Sequence, residues 1–156
     1  MEKLVVKLLT EKGYTIASAE SCTGGLFAST IINVKNASRV IESSIVTYSN
    51  HAKQKYCSVD EKIIDSFGVV SEEVAYQMAK GISLQCNSNV GVGITGYAGK
   101  SEGLKNEDVG RVCFGICING EVTTYTKKFS GGRLSVRKKS VRFVLKKLIE
   151  LLASKS

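Results

Sequence analysis

Apolar residues recur at helical spacing in four parts of the chain, and these parts predict its main helices. Residues 2–12 form the first, closed by Gly13, which suits a helix C-terminus. Residues 26–32 are a helix-sized apolar run, and residues 134–152 form a long amphipathic segment. A helix capped by Ser71 and started by two acidic residues should run to about residue 86.

Short β-rich runs lie between these helices and predict five strands. The runs cover residues 15–19, 44–48, 90–95, 111–118 and 122–129. Asn119-Gly120 joins the last two and is a strong hairpin signal. Since helices and strands alternate before this hairpin, we expect an α/β fold, a mixed β-sheet covered by helices in a single compact domain.

The length of 156 residues is close to the commonest domain size, so we assign residues 1–156 to one domain. Hydrophobic residues make up 43% and charged residues 23%, which excludes a disordered chain. The N-terminus has charges inside its apolar stretch and does not resemble a signal peptide. No run approaches the roughly 20 apolar residues of a membrane span. We therefore expect a cytoplasmic protein with no membrane partner.

The cysteines do not have the spacing of a metal site. There are five, scattered and odd in number, and the chain has a single histidine, His51. We expect reduced thiols, no structural zinc and no metal.

A formal net charge of +8 favours an anionic partner. The basic excess is concentrated between residues 133 and 147, where a solvated helix face is the simpler interpretation. We do not expect nucleic acid as a partner, because the chain has no Trp and its Phe and Tyr residues are spread out.

The turn at residues 21–25 is the first candidate for chemistry. It joins a predicted strand to a predicted helix, and its sequence is Ser-Cys-Thr-Gly-Gly. Paired glycines let a substrate approach the backbone, and a helix N-terminus offers free N–H groups. Ser21 and Cys22 are both candidate nucleophiles, although such a turn can also be purely structural.

A serine nucleophile needs a base, and a Ser-His-Asp arrangement is hard to build with one histidine. Lys53 is a candidate base, one helical turn beyond Tyr48 in a short helix capped by Ser49 or Asn50. A lysine must be desolvated or placed near another cation before it can take a proton. Most lysines are solvated surface charges, and His51 is more simply a surface residue.

Four motifs occur in the order found in a known family. They are Ala19-Glu-Ser-Cys-Thr-Gly-Gly25, Val46-Thr-Tyr-Ser-Asn50 with Lys53, Gly68-Val-Val-Ser-Glu-Glu-Val-Ala75 with Met78-Ala79, and Thr95-Gly-Tyr-Ala-Gly99. Through them the whole chain resembles the CinA C-terminal domain family, the nicotinamide mononucleotide amidohydrolases.

The resemblance implies deamidation of nicotinamide mononucleotide to nicotinate mononucleotide and ammonia, in pyridine nucleotide recycling. It implies a catalytic group of Ser21, Tyr48 and Lys53, with no metal and no cofactor. Backbone N–H groups around Thr23 and Gly24, beside Cys22, would steady the oxyanion.

The resemblance also implies substrate-side elements at Thr95, Gly96, Ala98 and Gly99, and at Arg133 with Arg137 as the weaker phosphate candidate. Here the chain departs from the family pattern. Gly99-Lys-Ser-Glu-Gly103 replaces Gly-Pro-Gly-Gly, Asp108-Val-Gly-Arg-Val112 replaces Pro-Val-Gly-Thr-Val, and Gly131-Gly-Arg133 replaces Gly-Asp-Arg. These changes bear on the loop at residues 100–111 and on the phosphate contacts.

Two other functions stay open beside the amidohydrolase. The altered loop suits a family member that binds a nucleotide or a protein without turnover. A role near nucleic acid draws only on the charge and the family's competence-related name. We expect a small phosphorylated nucleotide as the partner. We also expect a chain that stands alone, without the larger N-terminal domain of some relatives. The predictions include a homo-oligomer as one option for the assembly.

Overall fold

Five strands and six α-helices make up the computed structural model, which describes residues 1–154. The strands are β1 (Ile16–Glu20), β2 (Ile41–Val46), β3 (Val90–Gly96), β4 (Arg111–Ile118) and β5 (Glu121–Lys128). The helices are α1 (Glu2–Lys12), α2 (Leu26–Ile32), α3 (Asn50–Cys57), α4 (Glu61–Phe67), α5 (Glu72–Gln85) and α6 (Arg133–Ser154). Residues 155 and 156 of the predicted domain lie outside the described range.

The strands form one mixed sheet in the order β2-β1-β3-β4-β5, which confirms the predicted fold class. Strand β1 lies in parallel between β2 and β3, whereas β4 and β5 are antiparallel additions. The predicted hairpin joins β4 to β5, with φ of 49° at Asn119 and 88° at Gly120. Both values are positive, as the tight hairpin turn requires.

Helices cover both faces of the sheet. On one face, Val92 and Ile94 of β3 and Phe114 of β4 pack in a buried cluster with residues of α1, α2 and α6. On the other face, Ala17 and Ala19 of β1 pack with residues of α3, α4 and α5. Strands β1 and β3 are therefore buried on both sides, as parallel strands under two helical layers should be, whereas the edge strand β2 is only partly buried.

Helix α5 lies directly against the sheet because three facing positions are glycines. A Cβ added to Gly91 would lie 2.1 Å from the carbonyl oxygen of Ala79, and one added to Gly115 would lie 2.3 Å from that of Ala75. At Gly93 the nearest backbone atoms would be 2.7 Å away. These glycines are close-packing positions of the sheet, not turns.

Two local predictions differ from the structure. We expected β2 at residues 44–48, but it spans Ile41–Val46. The Thr47 N–H still donates to Glu20, while the carbonyls of Thr47 and Tyr48 accept from Lys53 instead of a neighbouring strand. Helix α4, which has seven residues and is capped by Asp60, was not predicted from the sequence.

No helix in the described residues is both long and apolar enough to cross a membrane. The cytoplasmic location and the homo-oligomer stay predictions.

Replacing Gly115 with alanine should destabilise the protein by about 1–3 kcal/mol, because the new methyl group would push α5 off the sheet. The free energy of unfolding in urea measures this. Gly132→Ala is the matched control, since a Cβ there meets nothing within 4 Å. Equal stability of the two variants would contradict the close packing of α5.

Candidate active site

The candidate site lies at the carboxyl edge of the parallel strands. Ser21 follows β1, Tyr48 comes shortly after β2, and Thr95 and Gly96 end β3. The chain leaves β1 towards β2 on one side and later returns to β3 on the other side. In open α/β sheets such a reversal of strand order creates a crevice where ligands bind.

A cavity of about 280 Å³ occupies this edge and collects most of the predicted site residues. Ser21, Tyr48 and Lys53 line it together with Cys22. Thr95, Gly96, Ala98 and Gly99 contribute from β3 and the loop that follows, and Arg133 contributes from the start of α6. Thr23, Gly24 and Arg137 do not line the cavity.

The amine of Lys53 is buried and contacts the hydroxyl of Ser21. Its side chain is 1% exposed, and Nζ lies 3.2 Å from Ser21 Oγ. The same nitrogen donates to the carbonyl oxygens of Thr47 at 2.7 Å and Tyr48 at 3.2 Å. Burial lowers the pKa of Lys53 to about 8, so the neutral amine is accessible near physiological pH.

The three contacts match the bonding capacity of a neutral amine. Such an amine has two N–H donors, which the two carbonyls accept, and one lone pair, which remains for the Ser21 hydroxyl proton. In the protonated form Lys53 instead donates to Ser21 Oγ. The contact can therefore carry a proton in either direction, which is what a general base and acid needs.

Local structure holds Lys53 in this position. Ser49 begins α3 by accepting a hydrogen bond from the N–H of Ala52 at 3.0 Å, as one of the predicted caps. The helix then directs Lys53 back towards the segment that precedes it. His51 is on the same helix and is exposed, in agreement with its interpretation as a surface residue.

Tyr48 reaches Lys53 through its backbone, not its phenol. The carbonyl oxygen accepts from Lys53 Nζ, while the side chain is 69% exposed and lines the cavity. A proton-transfer role for the phenol stays a prediction.

Ser21 is almost fully buried, at 8% exposed, and its backbone is tied to the sheet. Its N–H donates to Ile94 of β3 at 3.0 Å, and its carbonyl accepts from the N–H of Gly24 at 3.0 Å. The Gly24 N–H, which we expected to steady an oxyanion, is thus already bonded. The N–H groups of Cys22 and Thr23 donate to no other residue within the described range.

Arg137 binds backbone carbonyls and does not line the cavity, and its role as a phosphate ligand stays a prediction. Its Nε donates to the Cys22 carbonyl and its Nη2 to the Thr23 carbonyl, both at 3.0 Å. The guanidinium holds the turn that carries Ser21. Arg133, in contrast, is exposed and lines the cavity, with Nη2 donating to Lys100 O at 3.3 Å.

The loop after Gly99 has a closed base despite its altered sequence. Tyr97 N–H donates to Arg111 O at 2.9 Å, and Gly110 N–H donates to Tyr97 O at 2.7 Å. Gly99 itself leaves space for Arg133, whose Cζ would lie 3.0 Å from an added Cβ. The base of the loop is therefore fixed by backbone hydrogen bonds, and Ser101 from the loop itself also lines the cavity.

Cys22 is a weaker nucleophile candidate than Ser21. Burial raises the pKa of its thiol to about 11, so the thiolate is scarce at neutral pH. The remaining cysteines are free as well, and Cys113 and Cys117 are buried.

Glu20 is a site residue that sequence reasoning missed. Its side chain is completely buried, and its carboxylate accepts from the N–H groups of Phe27 and Ala28 at the start of α2. An acidic residue in a strand of small residues, directly before Ser21, was the available signal.

A larger groove of about 710 Å³ lies on the α5 side of the sheet and contains none of the predicted site residues. In it, Glu72 accepts from the hydroxyls of Thr124 at 2.6 Å and Thr126 at 2.7 Å, which lowers its pKa. Glu72 and Glu73 also begin α5, in agreement with their interpretation as helix-start acids. In the described residues, no three His, Cys, Asp or Glu side chains form a group that could hold a metal ion.

Comparisons with known proteins find relatives along nearly the whole chain. A family model described as the CinA C-terminal domain matches residues 1–152. A CinA-like protein of Kosmotoga olearia is 41% identical over 145 residues, covering 93% of this chain and 35% of that protein. The chain thus spans about a third of the length of the curated relatives it matches.

Solved structures match the fold closely. A competence-damaged protein (CinA) superfamily protein from Klebsiella pneumoniae has a TM-score of 0.94 and 29% identity, with 98% of this chain and 96% of that chain covered. A competence/damage inducible protein from Agrobacterium tumefaciens has a TM-score of 0.90 and 34% identity, with 96% and 94% covered.

The buried Lys53 should make stability rise with pH in a defined window. Between about pH 8, the pKa of folded Lys53, and its ordinary value of 10.5, the unfolded chain holds a proton that the folded chain has lost. Unfolding is therefore disfavoured as pH rises through this window, by an amount on the order of 1–3 kcal/mol. Urea unfolding of the wild type and of Lys53→Met across this range measures the difference. Parallel stability curves would show that Lys53 is not desolvated.

Proposed function

The chain belongs to the family of CinA C-terminal domains, and we propose that it is a serine amidohydrolase that converts nicotinamide mononucleotide to nicotinate mononucleotide and ammonia. The observation that carries the proposal is the contact of the buried Lys53 amine with Ser21 Oγ, at 3.2 Å. A desolvated lysine beside a serine hydroxyl is a nucleophile-and-base pair capable of amide hydrolysis.

In the first step, neutral Lys53 takes the proton of the Ser21 hydroxyl as Oγ attacks the carboxamide carbon. The π electrons of the carbon–oxygen double bond move to the oxygen, which becomes an oxyanion. The N–H of Cys22 is a suitable donor for it, because this group follows the nucleophile directly and has no other residue as partner in the described chain. Thr23 N–H is the second unbonded donor in the turn.

In the second step, the intermediate collapses and the carbon–nitrogen bond breaks. Lys53, now protonated, gives its proton to the leaving amide nitrogen, which departs as ammonia and leaves an ester on Ser21. Water then attacks this ester while Lys53 accepts one of its protons, and Lys53 returns that proton to Ser21 Oγ as the carbon–oxygen bond to Ser21 breaks. The carboxylic acid that is released loses its remaining proton to solvent and becomes the carboxylate. The carbonyls of Thr47 and Tyr48 stabilise the charged amine between these transfers.

The cavity rim supports the substrate class that we propose. Arg133 offers a guanidinium that can bind two phosphate oxygens at once. The cavity of about 280 Å³ is close to the lower limit of ordinary ligand pockets, about 300 Å³, which suits a small nucleotide. Binding without turnover is the alternative, and the altered loop at residues 100–111 is the feature that favours it.

Purified protein should release ammonia from nicotinamide mononucleotide, and Ser21→Ala should abolish this release because no other group can form the ester. A coupled ammonia assay measures it. Cys22→Ser is the matched control and should retain most of the activity. No release by the wild type would favour the binding module, whereas loss of activity in Cys22→Ser alone would assign the attack to the thiol.

Arg133→Ala should raise KM for nicotinamide mononucleotide about tenfold to a hundredfold with little change in kcat, because a charge-assisted phosphate contact is lost. Slow hydrolysis of the phosphate-free riboside should be almost unaffected. Steady-state kinetics on both substrates measure this, with Lys138→Ala as a control for the loss of one positive charge on α6. Equal losses on both substrates would assign Arg133 to support of the loop.

A further inference from the structure

We propose that Glu20 is a positioning residue that holds the Ser21 turn in its reactive geometry; this inference rests on the proposed hydrolase function. The Glu20 side chain is completely buried and reaches across the turn from the end of β1 to the start of α2. Oε1 accepts from Phe27 N–H at 2.9 Å, and Oε2 accepts from Ala28 N–H at 3.1 Å.

Helix α2 depends on this carboxylate because its own first turn lacks a cap. The N-cap residue is Gly25, which has no side chain to accept a hydrogen bond. The first N–H groups of any helix have no partner within the helix, and leaving them buried and unpaired is destabilising. Glu20 thus supplies, from seven residues away, the acceptors that a capping side chain normally supplies.

Hydroxyl groups secure the other side of the carboxylate. The hydroxyl of Ser44, in β2, donates to Glu20 Oε2 at 3.2 Å. The hydroxyl oxygens of Ser18 and Ser44 lie 2.7 Å apart and share a hydrogen bond. The chain Ser18–Ser44–Glu20 therefore joins β1, β2 and α2 in one polar network within a mainly apolar interior. A network of this kind fixes the rotamer of its members.

The geometry assigns Glu20 an effect on Ser21, with no contact to substrate. The turn between Glu20 and α2 has five residues, and Ser21 is the first of them. The β3 bond to Ser21 N–H fixes the entrance to the turn, and the Glu20 carboxylate fixes its exit. Losing the exit would let the turn shift relative to Lys53, and a displacement of about 1 Å can cost on the order of 100-fold in rate.

The test is Glu20→Gln, which preserves the volume but places an NH₂ group opposite one of the two helix N–H donors. We expect kcat for ammonia release from nicotinamide mononucleotide to fall at least tenfold, with KM changed by less than about threefold. Hydrogen exchange should accelerate in residues 21–28 and remain as in the wild type elsewhere.

Asp60→Ala is the matched control. It removes the side chain that caps α4, by accepting from Lys62 N–H at 2.9 Å, and so removes a helix cap away from the cavity. Its kcat should equal that of the wild type.

Three results would overturn the proposal: an unchanged kcat in Glu20→Gln, exchange that accelerates throughout the fold, or an equal loss of kcat in Asp60→Ala. A wild type that releases no ammonia would refute the proposed hydrolase instead. In that case the exchange pattern alone still decides whether Glu20 holds the turn.

Discussion

Burial of one amine, that of Lys53, sets requirements that much of the surrounding structure meets. A lysine at 1% exposure needs acceptors for its N–H groups, and the chain supplies the carbonyls of Thr47 and Tyr48. To do so it must leave the sheet after β2 and turn into α3. Helix α3 in turn packs tightly on α5, where a Cβ added to Gly81 would lie 1.8 Å from the carbonyl oxygen of Cys57. The pKa of Lys53 is thus lowered by packing that excludes water, and no charged neighbour is required for this shift.

The turn at residues 21–25 must be held in place from outside, since a glycine-containing turn has little conformational preference of its own. Two charged side chains supply the rigidity from different directions. Glu20 accepts from N–H groups at the start of α2, and Arg137 donates to the Cys22 and Thr23 carbonyls. Glu20 thus binds backbone donors and Arg137 binds backbone acceptors. The N–H groups of Cys22 and Thr23 are left without another residue as partner in the described chain. A turn held by its carbonyls can offer its N–H groups to a substrate oxygen.

Sequence reasoning could predict the features that depend on local preferences. The first helix with Gly13, the Asn119-Gly120 hairpin and the Ser71 cap are encoded by residues close in sequence, and the structure confirms them. The position of β2 was wrong because carbonyls at its end bind Lys53, a contact that no local pattern reveals. Glu20 was missed for the same kind of reason: its partners are seven and eight residues away, and only the folded turn brings them together.

The two arginines at the start of α6 show why a shared sequence pattern does not fix a shared role. Arg133 and Arg137 are four residues apart and therefore lie on neighbouring parts of one helix surface. Val136 between them is completely buried, so the packing of the helix determines where each guanidinium points. Arg133 reaches the cavity rim, and Arg137 reaches the carbonyl groups of the turn at residues 21–25. The second position requires the fork of an arginine, because two carbonyls must be bound at once by donors in a fixed geometry. A lysine there would provide the charge but only a flexible point donor, so the basic character of this helix is not interchangeable between its positions.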